Sequence, residues 1–116
     1  MARIVDVSAG QVVAERADTA DNAWRRFRGL MLRAPLAEGE GLDIRPCGSI
    51  HMMFMRFAID AVFYDGEGRV TKVSRGVRPW IGIAFGGRGA KGVIELPRGA
   101  AAFVERGHQL EFAAQG

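Results

Sequence analysis

The chain alternates short apolar runs with glycine-, proline- or aspartate-marked breaks, a rhythm that predicts many short strands and little helix. Arg3 to Val7 reads as a strand, Ser8-Ala9-Gly10 as a turn and Gln11 to Glu15 as the returning strand of a hairpin. Gly41 to Ile44 predicts a brief strand, and Ile50 to Phe57 and Ile59 to Tyr64 predict two more. Asp65-Gly66-Glu67-Gly68 is a turn, so Arg69 to Ser74 should return along Ile59 to Tyr64 as a second hairpin. Val93 to Leu96 has the pattern of a buried strand, and His108 to Phe112 closes the series.

Two stretches carry a helical pattern. From Thr19 to Arg28, Trp24 and Phe27 recur at helical spacing, Thr19 or Asp21 can cap the start, and Gly29 can end the helix. Arg25, Arg26 and Arg28 crowd the last turn, where positive charge suits the helix dipole. Ala100 to Glu105, between Gly99 and Gly107, predicts a short helical turn. Arg75 to Gly92 is glycine-rich and irregular, the pattern of a functional or mobile loop. The expected fold is a small antiparallel β-barrel or sandwich with one main short helix near 19–28 and a helical turn near 100–105. No alternating βαβ rhythm supports a dinucleotide-binding fold.

Size and composition narrow the class. At 116 residues the chain is one domain, 1–116, and 48% hydrophobic with 25% charged residues is a globular composition. The longest apolar run, Ala100 to Val104, is far below the ~20 residues of a membrane span. The first residues lack the apolar core of a signal peptide, so the expected location is cytoplasmic unless a leader was trimmed. One cysteine, Cys47, excludes an intrachain disulfide.

Fourteen of the sixteen basic residues are arginine, and the pI is about 9.7. From Gly68 to Ile94 there is no acid, while Arg69, Lys72, Arg75, Arg78, Arg88 and Lys91 are basic and Trp80 and Phe85 are interleaved. That pattern suits phosphate, an acidic polymer or a single strand of nucleic acid. A net charge of only +3 favours a solvated glycine-rich loop, and nucleic acid is not expected as a partner. Gly86-Gly87-Arg88-Gly89 lacks the Gly-Lys-Ser/Thr ending of a phosphate-binding P-loop.

The densest chemistry lies between Cys47 and Asp60. In an unbroken strand Cys47, Ser49, His51, Met53 and Met55 share one face. A nucleophilic reading has Cys47 attack, His51 act as base and Asp60 orient the imidazole. However, residues four apart on a strand are ~13 Å apart, so only a tight turn at Pro46–Gly48 would unite the pair. A soft-metal reading uses Cys47, His51, Met53 and Met55 for copper, yet methionine ordinarily fills cores and no zinc spacing is present. A pocket reading has His51, Met55, Arg56, Asp60, Trp80, Glu95 and Arg28 bind a ligand, with Trp80 and Tyr64 as stacking surfaces. Asp60 in an apolar strand must find partners, which also suits a purely anchoring role. Glu95, inside Val-Ile-Glu-Leu, must face solvent, pair with an arginine such as Arg28, or line the pocket. His108 reads as a surface turn residue.

Arg28-Gly29-Leu30-Met31, Ser49-Ile50-His51, Met55-Arg56, Ile59-Asp60, the Phe63-to-Val70 hairpin and Val93-Ile94-Glu95-Leu96-Pro97 with Gly99 occur in this order. Together they resemble the domain of unknown function 192 family, also called uncharacterised protein family 0127, over about Val12 to Phe112. The resemblance implies a compact, mostly β barrel or sandwich with a short helix, and no established activity. The family's patterned positions map onto Arg28, Gly29, Met31, His51, Met55, Asp60, Glu95 and Gly99. Met52 stands where many members have threonine, and Gly107-His108 where a Gly-Asp step is common. Some members resemble exported or membrane-attached proteins.

The leading expectation is a non-enzymatic binding module for a small molecule or short polymer, glycan-like or anionic, with no cofactor. An enzyme using Cys47, His51 and Asp60, and a copper site, are the alternatives. Alkylation of Cys47 by iodoacetamide separates the first two. A nucleophile reacts in the folded protein, whereas reaction only after unfolding rules out that role.

Overall fold

The structure, a computed structural model, describes residues 2–20, 36–45, 48–51, 57–79 and 82–114. For Ala20, Ser49, Ile50 and His51 the backbone alone is described. Nine strands follow one another: β1 (Ala2–Asp6), β2 (Gln11–Ala20), β3 (Glu40–Ile44), β4 (Ser49–His51), β5 (Ile59–Tyr64), β6 (Val70–Val77), β7 (Ile83–Phe85), β8 (Gly92–Pro97) and β9 (Leu110–Ala114). Seven form one sheet in the order β6-β5-β8-β3-β2-β1-β9, and β4 pairs with β7 in a separate ribbon.

The sheet curls into a half-barrel. Its two edge strands meet at one end, where Arg69 bridges Gln109. There Val70 N donates to His108 O at 2.9 Å and Leu110 N donates to Gly68 O at 2.9 Å. Register shifts in the β1–β2 and β5–β6 pairs add the local twist that such curvature requires. The contacts between Gly68–Val70 and His108–Leu110 satisfy backbone groups that an open sheet would leave as an edge.

Alternation along the central strands builds two apolar layers. On the concave face, Val62 and Tyr64 of β5, Ile94 and Leu96 of β8, Val70, Leu110, Ile4 and Ala14 pack with Ala101 and Val104. On the convex face, Ile59, Ala61 and Phe63 of β5, Val93 of β8 and Leu42 and Ile44 of β3 pack with Leu36, Val77 and Ala84. Every residue of β5 is therefore buried, which explains why its sequence is nearly continuous in apolar residues.

Three sequence expectations change. The sheet is mixed rather than antiparallel, because β2 and β3 run parallel with Arg16 opposite Glu40 and Ala20 opposite Ile44. A hydrophobic pattern reports which face of a strand is buried, not which direction its neighbour runs. The helix expected at 19–28 does not begin at Thr19: Thr19 and Ala20 continue β2, opposite Asp43 and Ile44. Pairing with a partner distant in sequence overrides the local capping signal. The rest of that expected helix, 21–28, lies outside the described residues.

The helical turn expected at 100–105 is a run of tight turns. Ala100 N donates to Pro97 O (3.0 Å), Ala102 N to Gly99 O (3.3 Å) and Val104 N to Ala101 O (3.1 Å). Side chains take the backbone groups that a helix would satisfy internally. Asp60 accepts from the Gly99 and Ala101 amides, and the Arg75 guanidinium donates to the Ala101 and Val104 carbonyls. Among the described residues no helix is long and apolar enough to cross a membrane.

The stretch 75–92 is more ordered in pattern than its glycines suggest, since β6 runs on to Val77 and β7 lies within it. A Cβ on Gly86 would sit 2.5 Å from Phe63 Cδ1 and 2.6 Å from Ala90 Cβ. Glycine there lets the loop after β7 close onto the convex layer. Gly86→Ala should therefore destabilise the fold by about 1–3 kcal/mol, read as a lower urea midpoint with an unchanged m-value. An unchanged midpoint would contradict this packing.

Candidate functional site

Asp60 lies on β5 and is 1% exposed. Its Oδ1 accepts from Gly76 N at 2.9 Å, and its Oδ2 accepts from Gly99 N at 3.0 Å and Ala101 N at 3.2 Å. Three backbone amides thus meet one carboxylate. The strand places an acid where it ties β6 and the 99–101 turn to the centre of the sheet. A shallow depression of about 220 Å³ lies over it, lined by Asp60, Arg75, Gly76, Arg98, Gly99 and Ala102.

Glu95 lies on β8, 6% exposed, opposite Ala61 of β5 and Leu42 of β3. Its neighbours Ile94 and Leu96 point into the concave layer, so alternation sets Glu95 on the convex face with Val93. By the same alternation Asp60 shares the concave side with Val62 and Tyr64. The sheet therefore separates the two acids that the sequence grouped in one pocket. His51 ends β4, opposite Ile83 of β7. Cys47, Arg28, Met53, Met55, Arg56 and Trp80 lie outside the described residues. Among the described residues no group of three His, Cys, Asp or Glu side chains is arranged to hold a metal.

Tyr64, expected as a stacking surface, is 5% exposed. Its hydroxyl donates to Asp43 Oδ1, and its ring lies 5.0 Å from that of Phe112. Asp43 is buried too, and Arg45 donates to its Oδ2 while lying 5.4 Å over the Phe112 ring. This cluster forms one wall of a cleft of about 380 Å³ that Lys91, Asp65 and Glu67 also line. Sequence reasoning missed it because Asp43, Tyr64 and Phe112 come from three strands. The only local hint was an acid within the apolar Gly41-to-Ile44 run.

His108 is also more than a turn residue. Its Nδ1 lies 2.7 Å from Oδ2 of Asp6, whose side chain is fully buried and whose Oδ1 accepts from Ala9 N at 2.9 Å. The contact joins residues 102 positions apart in the chain. It ties the start of the chain to the turn before β9.

Asp60→Ala removes the acceptor for three amides, two of them bonded to the same oxygen. The Ala101 amide is buried and the other two are partly so; an orphaned buried donor costs about 1–3 kcal/mol, so the total should reach about 2 kcal/mol or more. Asp60→Asn should recover only part of this, because its NH2 group cannot accept. Chemical denaturation of both variants measures the difference, and a loss below about 0.5 kcal/mol for Asp60→Ala would remove Asp60 from this anchoring role.

Comparison with known proteins agrees with the fold and the ordered motifs. The model of the DUF192 family, described as "Uncharacterized ACR", matches residues 4–112. A UPF0127 protein of Thermococcus sibiricus is 34% identical, over 97% of this chain and 75% of its own. A UPF0127 protein of Pyrococcus furiosus is 35% identical, over 94% of this chain and 97% of its own. The crystal structure of a protein of unknown function from Novosphingobium aromaticivorans superposes with a TM-score of 0.82 at 21% identity. That match covers 95% of this chain and 82% of the other, and shows a shared fold. The chain accordingly belongs to the uncharacterised DUF192 family, to which the motifs around Asp60 and Glu95 had pointed.

Proposed function

We propose that this protein is a non-enzymatic binding module for a small molecule or short polymer, held at the convex face around Glu95. One observation carries the reading. Among the described residues, Glu95 sits 6% exposed on the same face as Leu42, Ile44, Ala61, Phe63 and Val93. An acid in an apolar layer needs polar or charged company, and a few placed polar groups among apolar ones are the usual make-up of a ligand pocket. Its carboxylate suits the hydroxyl groups of a glycan-like ligand. Arg28 and Arg56, which the sequence assigns to the same site, suit an anionic one. His51, Met55 and Trp80 complete the set read from the sequence.

The three amides bonded to Asp60 give that residue a structural anchoring role, so the binding reading is centred on Glu95 instead.

A thermal-shift screen of metals, sugars and nucleotides tests the reading on the wild type, Glu95→Gln and Trp80→Ala. A native-state ligand raises apparent stability by mass action, by about 2.7 kcal/mol at a hundredfold excess over Kd. The expected result is a compound that raises the melting temperature of the wild type and loses that effect in both variants. The proposal falls if no compound stabilises the wild type, or if the active compounds stabilise Glu95→Gln equally.

A further inference from the structure

The acid-free stretch after Glu67 does not stay together in the fold. Arg69 immediately precedes β6, Lys72 lies within it, and Arg88 lies in the loop after β7. Arg106, distant in sequence, comes from the turn before β9. These four line one groove of about 480 Å³ with Val70, Thr71, Gly87 and Gly107. Among the described lining residues Asp65 is the sole acid, and its Oδ1 already accepts from Glu67 N at 2.9 Å and Arg69 N at 3.0 Å. Among the described residues none of the four cations forms an ion pair, whereas Arg3 and Arg45 do.

The walls are held before any ligand arrives. Arg69 Nη1 donates to Gly107 O at 3.0 Å, which fixes one edge of the guanidinium and leaves its other donors to the groove. Thr71 Oγ1 donates to Gly86 O at 2.7 Å and so tethers the loop that carries Gly87 and Arg88. Gly107 N donates to Val70 O at 2.9 Å, which places Arg106 beside β6. Gly87 has φ near +79°, and a Cβ built there meets nothing within 4 Å, so bare backbone faces open space in the groove. Like charges gathered without counterions repel one another. An anion relieves that repulsion, and a wall already ordered loses little entropy on binding it.

We infer that this groove is an anion site for a compact phosphorylated small molecule, with Arg69, Lys72, Arg88 and Arg106 as its phosphate-binding residues. The planar guanidinium fork matches phosphate in a bidentate manner, and lysine adds a point charge. The volume falls in the range of small-ligand pockets, about 300–1,000 Å³. Among the described lining residues there is no aromatic ring on which bases would stack, which favours a compact anion over single-stranded nucleic acid. The site uses none of the residues assigned to the Glu95 face, so it stands or falls independently of that reading.

Calorimetric titration of the full chain at low salt with inorganic phosphate, pyrophosphate and a hexose monophosphate tests this assignment. Arms with sulfate and a single-stranded oligonucleotide complete the comparison. At least one of the three phosphate compounds should bind more tightly than sulfate, and their order separates a free phosphate ligand from a phosphate ester. Arg88→Glu/Arg106→Glu should weaken that binding at least tenfold while leaving the melting temperature near wild type, because both side chains are exposed. Lys72→Glu should weaken it by a smaller factor. Arg78→Glu/Arg98→Glu, the same change in net charge away from the groove, should leave it within twofold. The assignment is overturned if the phosphate compounds bind no better than sulfate, or if the groove and control variants lose affinity equally. Tighter binding of the oligonucleotide than of every small phosphate would overturn the ligand class.

Discussion

A buried carboxylate can persist in a small protein only where donors surround it, and Asp60 meets that requirement with backbone alone. Its two oxygens gather the amides of Gly76, Gly99 and Ala101. The consequence reaches well beyond β5. With the 99–101 segment pinned, Ala101 and Val104 plug the concave layer. Arg75 then takes up the Ala101 and Val104 carbonyls. From that turn the chain proceeds to Gly107 and His108, whose backbone bonds join the edges of the sheet.

Because both faces of β5 and β8 are covered, each strand serves two environments at once. Side chains one residue apart contribute to different layers, and neighbours in sequence become strangers in space. Asp60 and Glu95 illustrate this. They lie on adjacent strands and belong to one family pattern, yet one anchors the concave side while the other sits among the apolar side chains of the convex side. The converse holds for Arg69, Lys72, Arg88 and Arg106, which curvature gathers around a single groove. Curling also brings Tyr64, Asp43, Arg45 and Phe112 together, so that a tyrosine that looks available in the sequence is occupied in the fold.

The limits of sequence reading follow from the range of the interactions. The second hairpin was legible because its signal is local: apolar runs flank Asp65-Gly66-Glu67-Gly68, and Asp65 bonds within its own turn. The family resemblance was legible because it rests on order and spacing. The extension of β2 through Thr19 and Ala20 was not, since it depends on β3, whose residues lie more than twenty positions away. Nor was the non-helical path of 99–105, which Asp60 and Arg75 impose from other strands. The anchoring reading of Asp60 needed only the rule that a buried acid finds donors. Which donors those are depended on how the chain folds back.

By itself, then, the sequence determined a mainly β fold, the strands β1, β3, β5, β6, β8 and β9 to within a few residues, the β5–β6 hairpin and family membership, because local polarity patterns and turn chemistry act over a few residues. Tertiary structure alone decided the parallel β2–β3 pairing, the closing contacts at Arg69 and Gln109, the opposite placement of Asp60 and Glu95, and the basic groove. Each of these depends on contacts between segments far apart along the chain. Such contacts are set by the curl of the sheet and the burial of both its faces, quantities that no short window of residues encodes.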